Sequence, residues 1–243
     1  MNRRRDTLIA AGVLLVILVV AALRHVINGV SVLAIVAIVP SVILHEVSHG
    51  YVAYLFGDDS AKKAGRLSLN PFAHIDIVGT LILPALLLMI GLTPFGYAKP
   101  VPVNVAKLRK PRDQGLIVAL AGPFVNIVLA IVAGVLMRTA IASQIASTPL
   151  IDQAQIGSGL WVQFLFDLGT INVLLAIFNL IPIPPLDGSA ILERFLPAGM
   201  WRRYLSIRRF ALPVLLFIVL LTPTLIYKII SPVTQFWLNQ FIP

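Results

Sequence analysis

Long apolar runs divided by short polar stretches organise this chain. Apolar segments cover residues 7–24, 31–56, 114–138, 159–181 and 210–228. Each is near the roughly 20 residues that a helix needs to cross a bilayer. Loops rich in charge, proline or glycine separate them. A sixth apolar run, Ile75 to Val101, is interrupted by Gly79, Pro84, Gly91, Pro94 and Gly96. The pattern predicts an all-α polytopic membrane protein with five or six transmembrane helices, forming one membrane domain over residues 1–243. No internal repeat is present. The longest hydrophilic insert, Ser143 to Ser158, is too short to fold alone.

Composition sharpens this picture. Apolar residues make up 58% of the chain and charged residues 12%, with a mean hydropathy of +0.94. A soluble domain carries about 25% charged residues. The net charge of +9 follows from Lys and Arg gathering in cytoplasmic loops, so no nucleic-acid partner is expected. The absence of cysteine excludes disulfides and thiolate metal sites. The start, "MNRRRDTLIAAGVLLVILVVAAL", has the basic head and apolar body of a signal peptide. No small-residue cleavage site follows, and it is read as a retained first span.

Basic residues set the topology. With the N-terminus in the cytoplasm and residues 75–97 not crossing, sixteen of the nineteen Lys and Arg residues face inward. If that run crosses, ten of the sixteen move outside, against the positive-inside rule. The expectation is a re-entrant, partly extended segment near 75–104. Within it, "FGYAKPVPVN" holds Pro100 and Pro102, which forbid helix and favour extended backbone. Lys99, Pro100, Val101 and Pro102 could then offer a strand edge to a substrate peptide.

One span carries chemistry. In "IVPSVILHEVSHGYVAYLF", His45 and His49 are one helical turn apart and can hold one zinc ion, while Glu46 reaches the same side without being a ligand. That is the spacing of HExxH metallohydrolases, in which the glutamate takes a proton from water. An ionisable residue within a span costs roughly 2.5–3.5 kcal/mol on insertion scales. Three in five positions therefore call for a function.

A catalytic zinc needs a third protein ligand and an open position. His25 reads as a solvated flank of the first span. His74, in "NPFAHID", could be a distant ligand or gate, with a capping or polar loop role favoured. Among the acids, Asp187 lies at the inner end of a span, in "FNLIPIPPLDGSAIL". Pro182, Pro184 and Pro185 break the helix there, and Gly188 is expected to permit a sharp turn. Asn179, eight residues earlier, could bind a backbone or an oxyanion.

Together these stretches resemble the site-2 protease family of intramembrane metalloproteases. The shared elements are "HEVSH" in one span, "AGPFVN" in a second and "NLIPIPPLDG" in a third. The resemblance covers roughly residues 31–195 and points to a compact branch without PDZ or CBS domains, in a prokaryotic plasma membrane. It implies His45, His49 and Asp187 as ligands of one Zn2+ per chain and Glu46 as general base. It further implies a supporting role for Asn179 and a structural one for Asn126. The substrate would be a transmembrane protein in the lipid bilayer, reached from the cytoplasmic side. A zinc-binding scaffold without catalysis and a transporter are the rival classes.

Overall fold

The computed structural model describes residues 29–76, 98–147, 157–197, 199–200, 204, 210–211 and 223–242. The α-helices whose full extent is described are α1 Gly29–Leu55, α2 Ser60–Lys63, α3 Pro111–Ser147, α4 Leu160–Leu180, α5 Ser189–Phe195 and α6 Pro223–Phe241. Among the described residues no strand forms. Among the described residues three helices are long and apolar enough to cross a membrane: Val32–Leu55, Pro111–Ala146 and Leu160–Leu180.

The spans expected at 31–56 and 159–181 correspond to α1 and α4. Helix α3 is longer than the expected 114–138, because Pro111 is a favourable first residue and neither proline nor glycine occurs from Val135 to Ser147; Pro123 lies within the helix. The spans expected at 7–24 and at residues 77–97 of the re-entrant run lie outside the described residues. So does most of 210–228. Its described part opens α6, which continues to Phe241. The tail around Trp237 has the aromatic composition of an interfacial anchor, but Trp237 is buried, only 6% exposed.

Helices α1, α3 and α4 pack against one another, and small or polar residues let them approach. On α1 the buried stripe is Ala37, Ser41, His45, His49 and Ala53, each four residues from the next. On α3 the matching stripe is Val118, Gly122, Asn126 and Ala130. Small residues at helix contacts substitute for the hydrophobic drive that lipid removes. Asn172 of α4 donates through Nδ2 to Ser41 Oγ at 2.8 Å, and that hydroxyl donates to the Ala37 carbonyl at 2.7 Å. Such an interhelical bond contributes about 0.6 kcal/mol on average in membranes.

Helix α6 closes the groove between α3 and α4. Two glycines form notches for its aromatic side chains. A Cβ on Gly169 would lie 2.2 Å from the Trp237 ring, and one on Gly134 would lie 2.5 Å from Phe241. Trp237 Nε1–H then reaches the Ala130 carbonyl at 3.0 Å. A buried indole finds a polar partner in this way, which is why the residue sits inside rather than at the lipid face.

Candidate metal centre

The two histidines lie on the inward stripe of α1, and each ring is fixed from α3. His49 Nδ1–H donates to the Val118 carbonyl at 2.7 Å. His45 Nδ1–H donates to Asn126 Oδ1 at 3.2 Å. Both acceptors are oxygens without a proton, so the protons sit on Nδ1 and both Nε2 lone pairs are free. Partners of this kind orient metal-binding imidazoles.

Gly122 and Pro123 explain the rest of "AGPFVN". A Cβ on Gly122 would come within 2.4 Å of His49 Nε2 and 2.5 Å of His45 Cε1. The rings occupy the space that any side chain would need. Pro123 has no N–H, so the Ala119 carbonyl one turn earlier loses its helical donor at the edge of the site. The sequence reading assigned a role to Asn126 but none to Gly122 or Val118.

Asp187 arrives from α4. The helix stops at Leu180 because Pro182, Pro184 and Pro185 follow. The chain loops out and returns, and Gly188 N–H closes it by donating to the Asn179 carbonyl at 2.6 Å. Gly188 is needed here for a reason other than the one expected. Its φ of −57° is ordinary, but a Cβ would meet the Leu180 carbonyl oxygen at 2.2 Å. Close backbone approach, not a left-handed turn, selects glycine. Downstream, α5 is tied to the start of α3. Arg194 Nε pairs with Asp113 Oδ1 at 2.7 Å, and Arg112 donates to the Leu196 carbonyl.

Asp187 Oδ2 lies 3.1 Å from His45 Nε2 and 3.3 Å from His49 Nε2. The two Nε2 atoms are 3.1 Å apart. This oxygen is buried and receives no hydrogen bond. The three atoms form a near-equilateral triangle. Tetrahedral zinc with bonds of about 2.0–2.1 Å would separate its ligand atoms by about 3.3–3.4 Å. Donor type, tautomer and spacing therefore all fit a zinc ion. Among the described residues this is the one group of three such side chains that could share a metal.

A cavity of about 420 Å³ opens beside the triangle. His45, His49, Asp187, Glu46 and Asn179 all line it, with Pro100, Val101 and Val103 on one wall and Ser189 and Ala190 of α5 on another. Glu46 Oε2 accepts from the Val101 N–H at 2.9 Å. Asn179 Nδ2 donates to the Leu175 carbonyl at 3.0 Å, which leaves its second N–H to offer. Lys99 and Pro102 are exposed and do not line this cavity. His74 lies apart from the triangle. It is buried in its own loop, where Nε2–H donates to the Ser68 carbonyl at 2.8 Å, and its own carbonyl accepts from Lys99 N–H at 2.9 Å.

The extended segment is anchored beyond the site as well. Asp58, fully buried, accepts from Asn104 N–H at 2.6 Å and from Ser60 N–H at 3.0 Å. Burial works against its ionisation. The hydrogen bonds from Ser60 and Asn104 and the nearby Lys107 ammonium outweigh that, and the carboxyl is held below its ordinary range.

Three apolar helices that enclose such a centre define the class of membrane metallohydrolases. The sequence pattern of Peptidase family M50 matches residues 33–222. The chain is 42% identical over 171 residues to the Bacillus subtilis protein named "Putative zinc metalloprotease YwhC", covering 68% of this chain and 70% of that one. It is 33% identical over 198 residues to "Putative zinc metalloprotease Rip2" of Mycobacterium tuberculosis, covering 81% and 70%. No solved structure matches it. The chain belongs to peptidase family M50, the site-2 protease family, and is an integral membrane metalloendopeptidase.

Proposed function

We propose that this protein hydrolyses peptide bonds in or near transmembrane segments of other membrane proteins. The observation that carries the reading is the convergence of His45 Nε2, His49 Nε2 and Asp187 Oδ2 beside a cavity that Glu46 also lines. His45, His49 and Asp187 are the ligands of one Zn2+. When bound, zinc supplies a Lewis acid that makes water acidic and polarises the scissile carbonyl.

The chain's own residues do the rest. Glu46 takes a proton from the attacking water and passes it to the leaving amine. The second N–H of Asn179 donates to the oxyanion that develops on the carbonyl. The extended segment from Lys99 to Asn104 holds an unwound substrate strand against the site through its carbonyl groups. A helix hides its carbonyls from attack, so substrates with Gly, Pro or Asn within the span are favoured.

In this reading the N-terminus is cytoplasmic and the cavity opens to that side. His45 stands ten residues before the end of α1, about 15 Å below that end at 1.5 Å per residue. The cavity brings water to this depth, which reconciles hydrolysis with an apolar span.

The test compares wild type, Glu46→Gln, His45→Ala and Asp187→Ala after purification in detergent. Wild type and Glu46→Gln should each bind near one zinc per chain, and the two ligand variants should lose it. Only wild type should cleave a reporter carrying a helix-destabilised transmembrane segment. A Glu46→Gln protein that cleaves as wild type does overturns the assignment of the base.

A further inference from the structure

The Glu46 carboxylate is held from a distant part of the chain. Its Oε2 accepts the Val101 N–H at 2.9 Å, across fifty-five positions of sequence. Pro100 and Pro102 have no N–H, so Val101 is the lone backbone donor between Lys99 and Val103.

The segment is built to keep that donor in place. Lys99 N–H is tied to the His74 carbonyl at 2.9 Å. Asn104 N–H is tied to buried Asp58 at 2.6 Å. The two prolines fix φ on either side of Val101. The Val101 side chain is only 7% exposed, and it rests on Gly50, one turn after Glu46 on α1. A Cβ on Gly50 would come within 2.7 Å of Val101 Cγ1 and 2.9 Å of Ala61 Cβ. Glycine is the residue that lets the segment lie this close to the helix.

We infer that the Val101 N–H is a positioning group for the general base, with Gly50 as its seat. The inference rests on Glu46 being that base. The hydrogen bond anchors one carboxylate oxygen so that the other can face the water to be activated. Segment 99–104 thereby belongs to the machinery that aims Glu46. A substrate strand lying along it pairs through other groups, because the Val101 N–H is already engaged.

Two measurements test this. The first is hydrogen exchange of the Val101 amide in zinc-loaded, detergent-solubilised protein labelled with 15N-valine. Exchange should be slow in wild type and in Glu46→Gln, whose amide oxygen still accepts, and at least tenfold faster in Glu46→Ala. Equal exchange in wild type and Glu46→Ala overturns the inference. The second is cleavage of the reporter carrying a helix-destabilised transmembrane segment. Val101→Pro, which removes the donor, should lower kcat at least tenfold while KM stays within threefold and zinc stays near one per chain. Val101→Ala, which keeps the donor but loosens its seat on Gly50, should lose clearly less kcat than Val101→Pro. Gly50→Ala should reproduce the loss in kcat, and adding Val101→Ala to it should restore part. Full kcat in Val101→Pro, or the same loss in Val101→Ala, overturns the inference. A wild type that binds zinc and cleaves nothing counts against the protease reading alone, and the exchange comparison then decides the positioning contact.

Discussion

His45 and Asn126 meet at 3.2 Å between two helices, both buried, with the Asn126 amide oxygen accepting the imidazole Nδ1–H. That contact sets the tautomer which frees His45 Nε2 toward Asp187. Partners of this kind change metal affinity by about 10- to 100-fold when removed. Asn126→Leu should therefore keep its helix content by circular dichroism and bind zinc about 10- to 100-fold more weakly in competition with a chelator. Unchanged affinity would show that the ring needs no such support.

Gly122 offers a steric counterpart. A methyl group there would intrude on both imidazoles at 2.4–2.5 Å, and neither ring can move while α3 holds its Nδ1. Gly122→Ala should abolish stoichiometric zinc binding. Gly115→Ala is the control, since its Cβ would make ordinary contact at 3.5 Å with Val105. Zinc content by atomic absorption separates the two.

Asp58 links folding to pH. Its folded carboxyl titrates below the ordinary value of 3.8, so the fold favours the ionised form. The stabilisation is complete above the unfolded value and is lost as pH falls through the folded one. The thermal midpoint of wild type should drop below about pH 4 more steeply than that of Asp58→Asn, which lacks the titration. Near pH 7, Asp58→Ala should cost on the order of 2 kcal/mol, because two backbone donors lose a charged acceptor.

The α6 dock can be broken without touching the metal centre. Gly169→Leu would fill the notch that holds the Trp237 ring. The α6 helix should then become accessible to added protease in detergent, while zinc content stays at the wild-type level. Resistance equal to wild type would mean that Trp237 is not what seats this helix.

Much of this protein was legible in one dimension. Apolar runs of the right length give α1 and α4 almost to the residue, since a span must satisfy its backbone within itself. The i, i+4 spacing of His45 and His49 is a property of any helix, and the prolines after Leu180 must end one. Other features exist only between elements. Nothing in the local sequence says that Asp187 folds back onto the histidines, because the Gly188–Asn179 closure depends on the path of the whole loop. Gly122, Gly50 and Gly169 read as unremarkable small residues until imidazoles, Val101 and Trp237 are seen in the space beside them. The tail around Trp237 has the composition of an interfacial anchor and becomes a packed helix because α3 and α4 present a groove. Periodicity and backbone chemistry act within about one turn and can be read along the chain. Close approach between distant segments depends on three-dimensional packing, and only the tertiary structure decides it.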